Sequence, residues 1–130
     1  MNSTNKGETI LVIEDDRNLQ IALKIKLQSE GWKVLQAFNG QEGIELLKLN
    51  TVSAVLMDVA MPVMDGLEAL KIIRQDEQLK NTKVIIISNS IYEPLKTEEN
   101  IELLHSTPYL IKSNYSLSQV VDKIKEFIKE

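Results

Sequence analysis

The sequence predicts an α/β fold: a five-stranded parallel sheet with helices on both faces. Two observations predict it. Strand-length apolar runs, above all Thr9-Ile10-Leu11-Val12-Ile13 and Val84-Ile85-Ile86-Ile87, contain no charged residue, as strands buried on both faces require. Between the runs lie segments whose apolar residues recur three and four positions apart, several of them behind a capping signal, as amphipathic helices require.

Residues 1–8 are polar and are expected to be disordered, leaving residues 9–130 as one domain. The first strand, Thr9 to Ile13, runs into Glu14-Asp15-Asp16. A helix follows from Arg17 to Glu30, with Leu19, Ala22, Leu23 and Leu27 as its inward stripe and Gly31 at the C-cap. Lys33 to Ala37 mixes polar and apolar residues and reads as an edge strand; Asn39-Gly40-Gln41-Glu42 is a turn with a capping box ahead of a short helix that turns Ile44 and Leu47 inward. Ala54 to Met57 is the third strand, with Asp58 at its carboxyl end. Asp65-Gly66 closes onto a third helix, Glu68 is placed to cap it, and Leu67, Leu70 and Ile73 face inward. The fourth strand, Val84 to Ile87, ends at Ser88-Asn89. Pro94 suits the first turn of a fourth helix whose Lys96 to Glu102 segment is polar. Tyr109-Leu110-Ile111 is a fifth strand ending at Lys112, and Ser116-Leu117-Ser118-Gln119 is a capping box before Val120, Val121, Ile124 and Phe127.

A chain of 130 residues supports one real core and leaves no room for a second domain, so a stand-alone domain is expected. With 43% hydrophobic and 26% charged residues, and only short apolar runs, neither a bilayer span nor a signal peptide is expected, and a cytoplasmic location is expected. The absence of cysteine excludes disulfides and thiolate chemistry. A net charge of -4 argues against direct nucleic-acid binding.

In a parallel sheet the carboxyl ends of the strands share one edge, where open α/β sheets bind ligands. That edge collects Glu14 and Asp15 from the first strand, Asp58 from the third, Ser88 from the fourth and Lys112 from the fifth. Carboxylates within a few ångströms repel by roughly 4 kcal/mol per pair at an effective dielectric near 20, so a compensating cation is expected. Oxygen-only donors, too few for a full cage, point to Mg²⁺. Simpler readings exist for most of these residues alone, but not for Asp58, since Asp65 already serves the turn. The acidic run can serve the helix dipole, Ser88 and Lys112 can be solvated loop residues, and Tyr109 can be a packed core aromatic. His105 reads as a surface or half-buried helix residue, and Met57, Met61 and Met64 as packing. The convergence sets Glu14, Asp15, Ser88, Lys112 and Tyr109 apart from the others.

Taken together, Glu14-Asp15, Met57-Asp58-Val59-Ala60-Met61-Pro62, Met64-Asp65-Gly66, Ser88, Tyr109 and Lys112 resemble a two-component response-regulator receiver domain, from Thr9 through the last helix. The resemblance implies a flavodoxin-like fold of strand order 2-1-3-4-5. It implies that Asp58 accepts a phosphoryl group from a phosphohistidine of a partner histidine kinase or histidine phosphotransfer protein. It also implies that Asp15 and Asp58 bind Mg²⁺ directly together with the Ala60 carbonyl, Glu14 acting through a coordinated water. Ser88 and Lys112 would contact the phosphoryl group, and Ser88 and Tyr109 would switch the face made by the fourth helix, fifth strand and fifth helix, where a downstream protein binds. Such a domain is a phosphoacceptor rather than an enzyme, although it assists transfer to its own aspartate and the later hydrolysis.

Three departures from the pattern stand out: Ser113 where proline usually follows the lysine, Asn89 where a small residue follows the hydroxyl, and His105-Ser106-Thr107-Pro108 before the fifth strand. Ser113 leads to the expectation of a trans bond and a mobile Lys112 before phosphorylation. Rival readings fare worse. A dinucleotide or flavin site needs glycines and backbone donors where Glu14-Asp15-Asp16 would repel phosphate, and the Asp-x-Asp of an aspartyl phosphatase is absent. A receiver-like docking module that takes no phosphate is the remaining alternative.

Overall fold

The computed structural model describes residues 8–89 and 98–129. Its elements are β1 (Thr9–Ile13), α1 (Arg17–Ser29), β2 (Lys33–Ala37), α2 (Gly40–Leu49), β3 (Ala54–Asp58), α3 (Gly66–Gln75), β4 (Val84–Ser88), α4 (Glu98–His105), β5 (Tyr109–Ile111), a 3-10 turn (Lys112–Asn114) and α5 (Leu117–Lys129). All strand pairs are parallel, in the order β2-β1-β3-β4-β5.

Side chains alternate along each strand, so a strand between two helical layers needs apolar residues at every position. In β1, Leu11 and Ile13 join Val55, Met57 and Ile86 in a core against Ile44 of α2 and Leu70 and Ile73 of α3. Ile10 and Val12 join Leu56 and Ile85 in a second core against Leu23 and Leu27 of α1 and Val121 and Ile124 of α5. The mixed composition of β2 matches its place at the sheet edge.

Most expected caps form. Gly31 adopts φ 99° after α1, Asn39 accepts the Glu42 N–H while Glu42 accepts that of Phe38, and Ser116 and Gln119 bond reciprocally. At α3 the roles differ from expectation: the cap is Asp65, whose carboxylate accepts the Glu68 N–H at 2.8 Å, because the shorter side chain before the helix reaches its free amides. The inward stripe of α1 is also rotated, being Gln20, Leu23 and Leu27, with Leu19 and Ala22 half-buried. Pro94 and the disorder expected for residues 1–7 lie outside the described residues, as does part of the Lys96 to Glu102 segment. Glu8 is tied to the domain, its carbonyl accepting the Lys33 N–H and its carboxylate the Ser53 hydroxyl. The described part of α4 packs Leu103 and Leu104 on the first core.

Candidate functional site

The acidic run after β1 divides its labour. Asp16 is the N-cap of α1, accepting the N–H groups of Asn18 at 2.9 Å and Leu19 at 3.2 Å. The dipole-capping role therefore falls to Asp16, and Glu14 and Asp15 are left for the sheet edge. Glu14 is only 1% exposed; its Oε2 accepts the Asp16 N–H at 3.1 Å and its Oε1 lies 2.7 Å from Lys112 Nζ.

Asp58 reaches the same edge from β3, the central strand between β1 and β4, and is itself buried. Lys112 Nζ lies 3.4 Å from its Oδ2. Carboxylate oxygens of Glu14, Asp15 and Asp58 lie within 4.8 Å of one another. These residues line a cavity of about 350 Å³ together with Asp16, Ala60, Ser88, Asn89 and Lys112. The structure thus gathers every expected site residue except Tyr109, which pairs with Ile86 in register and packs half-buried against the first core. His105 is exposed at the end of α4, and Met57, Met61 and Met64 pack in or against the first core.

The loop from β3 to α3 is tightly wound. The Met64 N–H donates to the Pro62 carbonyl at 2.7 Å across Val63, whose φ is 69°. This is a γ-turn of the rarer hand, and Val63 projects into solvent from it. Gly66 donates to the Val59 carbonyl at 2.8 Å and Gly40 to that of Met64 at 3.0 Å, so the β3–α3 loop is bound to the starts of both α3 and α2.

Lys112 begins the 3-10 turn, and among the described residues no peptide bond is cis. The trans bond matches expectation; a loosely placed Lys112 does not. Two carboxylates already hold its ammonium, supplying the opposite charge that the sequence reading reserved for a phosphoryl group. Burial alone would lower the Lys112 pKa, but the Glu14 hydrogen bond and the charges of Asp58 and Glu14 outweigh it and raise the value.

Burial pushes the Glu14 carboxyl up to about 7; the Lys112 hydrogen bond and the Asp16 N–H oppose this, and the Asp58 charge adds to it. The group is raised above its unfolded value of 4.5, so its contribution to stability is fully present below that pH and is lost as pH rises through about 7. Metal-free protein should lose no more than about 3 kcal/mol over this window. The other charged groups on the same cavity are Asp15, Asp16, Asp58 and Lys112. Lys112, shifted upward, stays charged throughout. Denaturant melts at both ends of the window, compared with Glu14→Gln, check this: the variant should flatten the slope, and an equal slope in both proteins would refute the assignment.

The donor set suits Mg²⁺. It offers oxygen atoms only, carries a charge surplus that costs energy without a cation, and opens on a cavity with room for water. Sequence reasoning missed Gln20, which is 1% exposed and hydrogen-bonds the Glu14 carbonyl. The available signal was its place three and seven residues before Leu23 and Leu27.

The family described as the response regulator receiver domain matches residues 10–125. The transcriptional regulatory protein CpxR of Escherichia coli K12 is 38% identical over 79 residues, covering 61% of this chain and 32% of that protein. The transcriptional regulatory protein CrdR of Helicobacter pylori is 31% identical over 121 residues, covering 93% of this chain and 55% of that protein. The chain therefore spans about a third to about half the length of these relatives. Among solved structures, the response regulator TrrA of Thermotoga maritima in complex with Mg²⁺ and BeF is 28% identical, with a TM-score of 0.76 over 92% of this chain and 98% of that one.

Proposed function

The chain belongs to the response regulator receiver domain family, and from that premise we propose that Asp58 accepts a phosphoryl group from a phosphohistidine of a histidine kinase or histidine phosphotransfer protein. The observation that carries this reading is the convergence of Glu14, Asp15, Asp58 and Lys112 on one cavity, with Lys112 Nζ 3.4 Å from Asp58. An Asp58 oxygen attacks phosphorus, the P–N bond to the donor imidazole breaks, and an acyl phosphate forms. Transfer of this kind needs in-line placement and charge neutralisation more than a base. Lys112 neutralises charge on the incoming group, and the Ser88 hydroxyl, on the same cavity, donates to one of its oxygens.

Asp15, Asp58 and the Ala60 carbonyl would hold Mg²⁺, with Glu14 acting through a coordinated water. When bound, the ion supplies positive charge to the phosphoryl oxygens and screens the carboxylates from one another. The Mg²⁺ complex of TrrA supports the choice of ion. Hydrolysis later returns Asp58 to its free form. Asn89 lines the cavity beside Ser88, where its side chain would narrow the path of the attacking water.

Phosphorylation draws Ser88 toward the new group. Ser88 pairs with Ile111 and Ile86 with Tyr109, so movement at the end of β4 reaches β5 directly. The face of α4, β5 and α5 then changes shape for a downstream protein. A docking role without phosphate is not favoured, because nothing in it calls for Asp15, Asp58, Ser88 and Lys112 on one cavity. No helix among the described residues is long and apolar enough to cross a membrane. We place the domain in the cytoplasm, acting through proteins rather than nucleic acid.

Acetyl phosphate and Mg²⁺, followed by peptide mapping, test the acceptor: one hydroxylamine-labile phosphoryl group on Asp58 is expected, and phosphate on Ser88 or His105 instead would overturn the roles. The metal has its own test. Mg²⁺ at a hundredfold excess over its Kd should stabilise the fold by about 2.7 kcal/mol, and Asp15→Asn should remove most of that gain. Calorimetric melts that ignore Mg²⁺ would refute the site.

A further inference from the structure

The buried stripe of α1 contains two leucines and Gln20. Its Nε2 lies 2.7 Å from the Ala37 carbonyl oxygen and 3.1 Å from those of Val12 and Glu14. Carbonyl oxygens only accept, so the amide nitrogen must face them, and its two hydrogens are shared among three acceptors. On the other side, Gln36 Nε2 donates to Gln20 Oε1 at 3.1 Å and approaches the Gln20 carbonyl at 3.4 Å. Both ends of the Gln20 amide are therefore fixed.

Glu14 is held from both sides of its backbone. Its N–H donates to the Ala37 carbonyl at 3.0 Å, and its own carbonyl accepts from Gln20. The two bonds hold the peptides on either side of Glu14, and the one gripped by Gln20 links Glu14 to Asp15, so its tilt determines where both carboxylates aim. A hydrogen bond at a ligand's backbone orients the ligand just as one to its side chain does.

We propose that Gln20 is a positioning residue for the acidic site: by gripping the Val12, Glu14 and Ala37 carbonyls it fixes the peptide that directs Glu14 and Asp15 toward Asp58. This rests on the Mg²⁺-dependent phosphoryl site proposed above and adds a determinant of its geometry. A polar group buried in this stripe sacrifices apolar contact with the second core, and the carbonyl clamp accounts for that sacrifice.

The test uses the full chain. Gln20→Met keeps the side-chain length and removes the donors. Its Mg²⁺ Kd, measured by calorimetric titration well below its melting temperature, should rise about tenfold. Gln36→Met loosens the same amide from the far side and should raise the Kd by a smaller factor; if Gln20→Met does not fold, Gln36→Met decides. Kd values indistinguishable from wild type, with only the melting temperature lowered, would make Gln20 purely structural and overturn the proposal. The functional reading fails separately: wild type that binds Mg²⁺ but takes no phosphoryl group from acetyl phosphate would sink that reading and leave the Kd comparison standing.

Discussion

Asp58→Asn should take up no phosphoryl group from acetyl phosphate under conditions that label the wild type, while remaining folded. The substitution keeps the side chain's shape but replaces an anionic oxygen with a neutral amide oxygen, too weak a nucleophile to form the new P–O bond. Its effect on stability should run in the opposite direction. Carboxylate oxygens of Asp58, Glu14 and Asp15 lie within 4.8 Å of one another, and above about pH 7, where Glu14 is ionised, each pair repels by roughly 4 kcal/mol at an effective dielectric near 20. The substitution removes two such repulsions and sacrifices one ion pair, the 3.4 Å contact with Lys112; the shorter 2.7 Å contact of Lys112 with Glu14 survives. Metal-free Asp58→Asn should therefore melt above the metal-free wild type and respond less to Mg²⁺. Intact-mass spectrometry and calorimetry read the two effects, and phosphoryl uptake at the wild-type level would exclude Asp58 as the acceptor.

Gly66→Ala should cost about 3 kcal/mol, or roughly 10 °C in melting temperature. A Cβ at Gly66 would lie 2.1 Å from the Asp58 carbonyl oxygen and 2.9 Å from Val59 Cα. Both atoms belong to the backbone, so no rotamer change relieves the clash, and the end of β3 must move. Gly43→Ala is the matched comparison, because its Cβ would meet only the side chain of Ile13, Cδ1 at 2.3 Å and Cγ1 at 2.9 Å, and no backbone atom. Gly66→Ala should also slow phosphorylation, since the displaced segment carries Asp58. Equal melting temperatures for the two variants would show that the β3 to α3 loop yields more readily than its hydrogen bonds imply.

The strands were legible because burial on both faces leaves a plain signature in β1, β3 and β4. The acidic edge was legible because strand ends in a parallel sheet converge whatever their loops do. Gln20 stands in helical register with Leu23 and Leu27, but its role was not legible: periodicity ranks positions by hydrophobicity, and a glutamine that faces the core to hold carbonyls looks like one that faces water. Asp65 and Glu68 stand three apart, and spacing alone does not tell which side chain meets which amide. Lys112 was expected to wait for a phosphoryl group because the sequence shows no sign that Glu14 is buried within 2.7 Å of it. The roles of neighbouring charges depend on distances that only the fold determines.

The strand order has a consequence for how the chain is made. β1 pairs through Thr9 with Lys33 on one edge and through Ile10 with Ala54 on the other. During synthesis β2 emerges first, so β1 gains one partner while its other edge stays open until Ala54 appears. At ribosomal rates of about 5–20 residues per second, the stretch between Ala37 and Ala54 takes roughly one to three seconds to emerge. For that interval the apolar strand at the centre of the future sheet presents an unpaired edge, the template on which nascent chains stick to one another. The strand that later anchors Glu14 is thus also where a nascent chain most needs shielding from its neighbours.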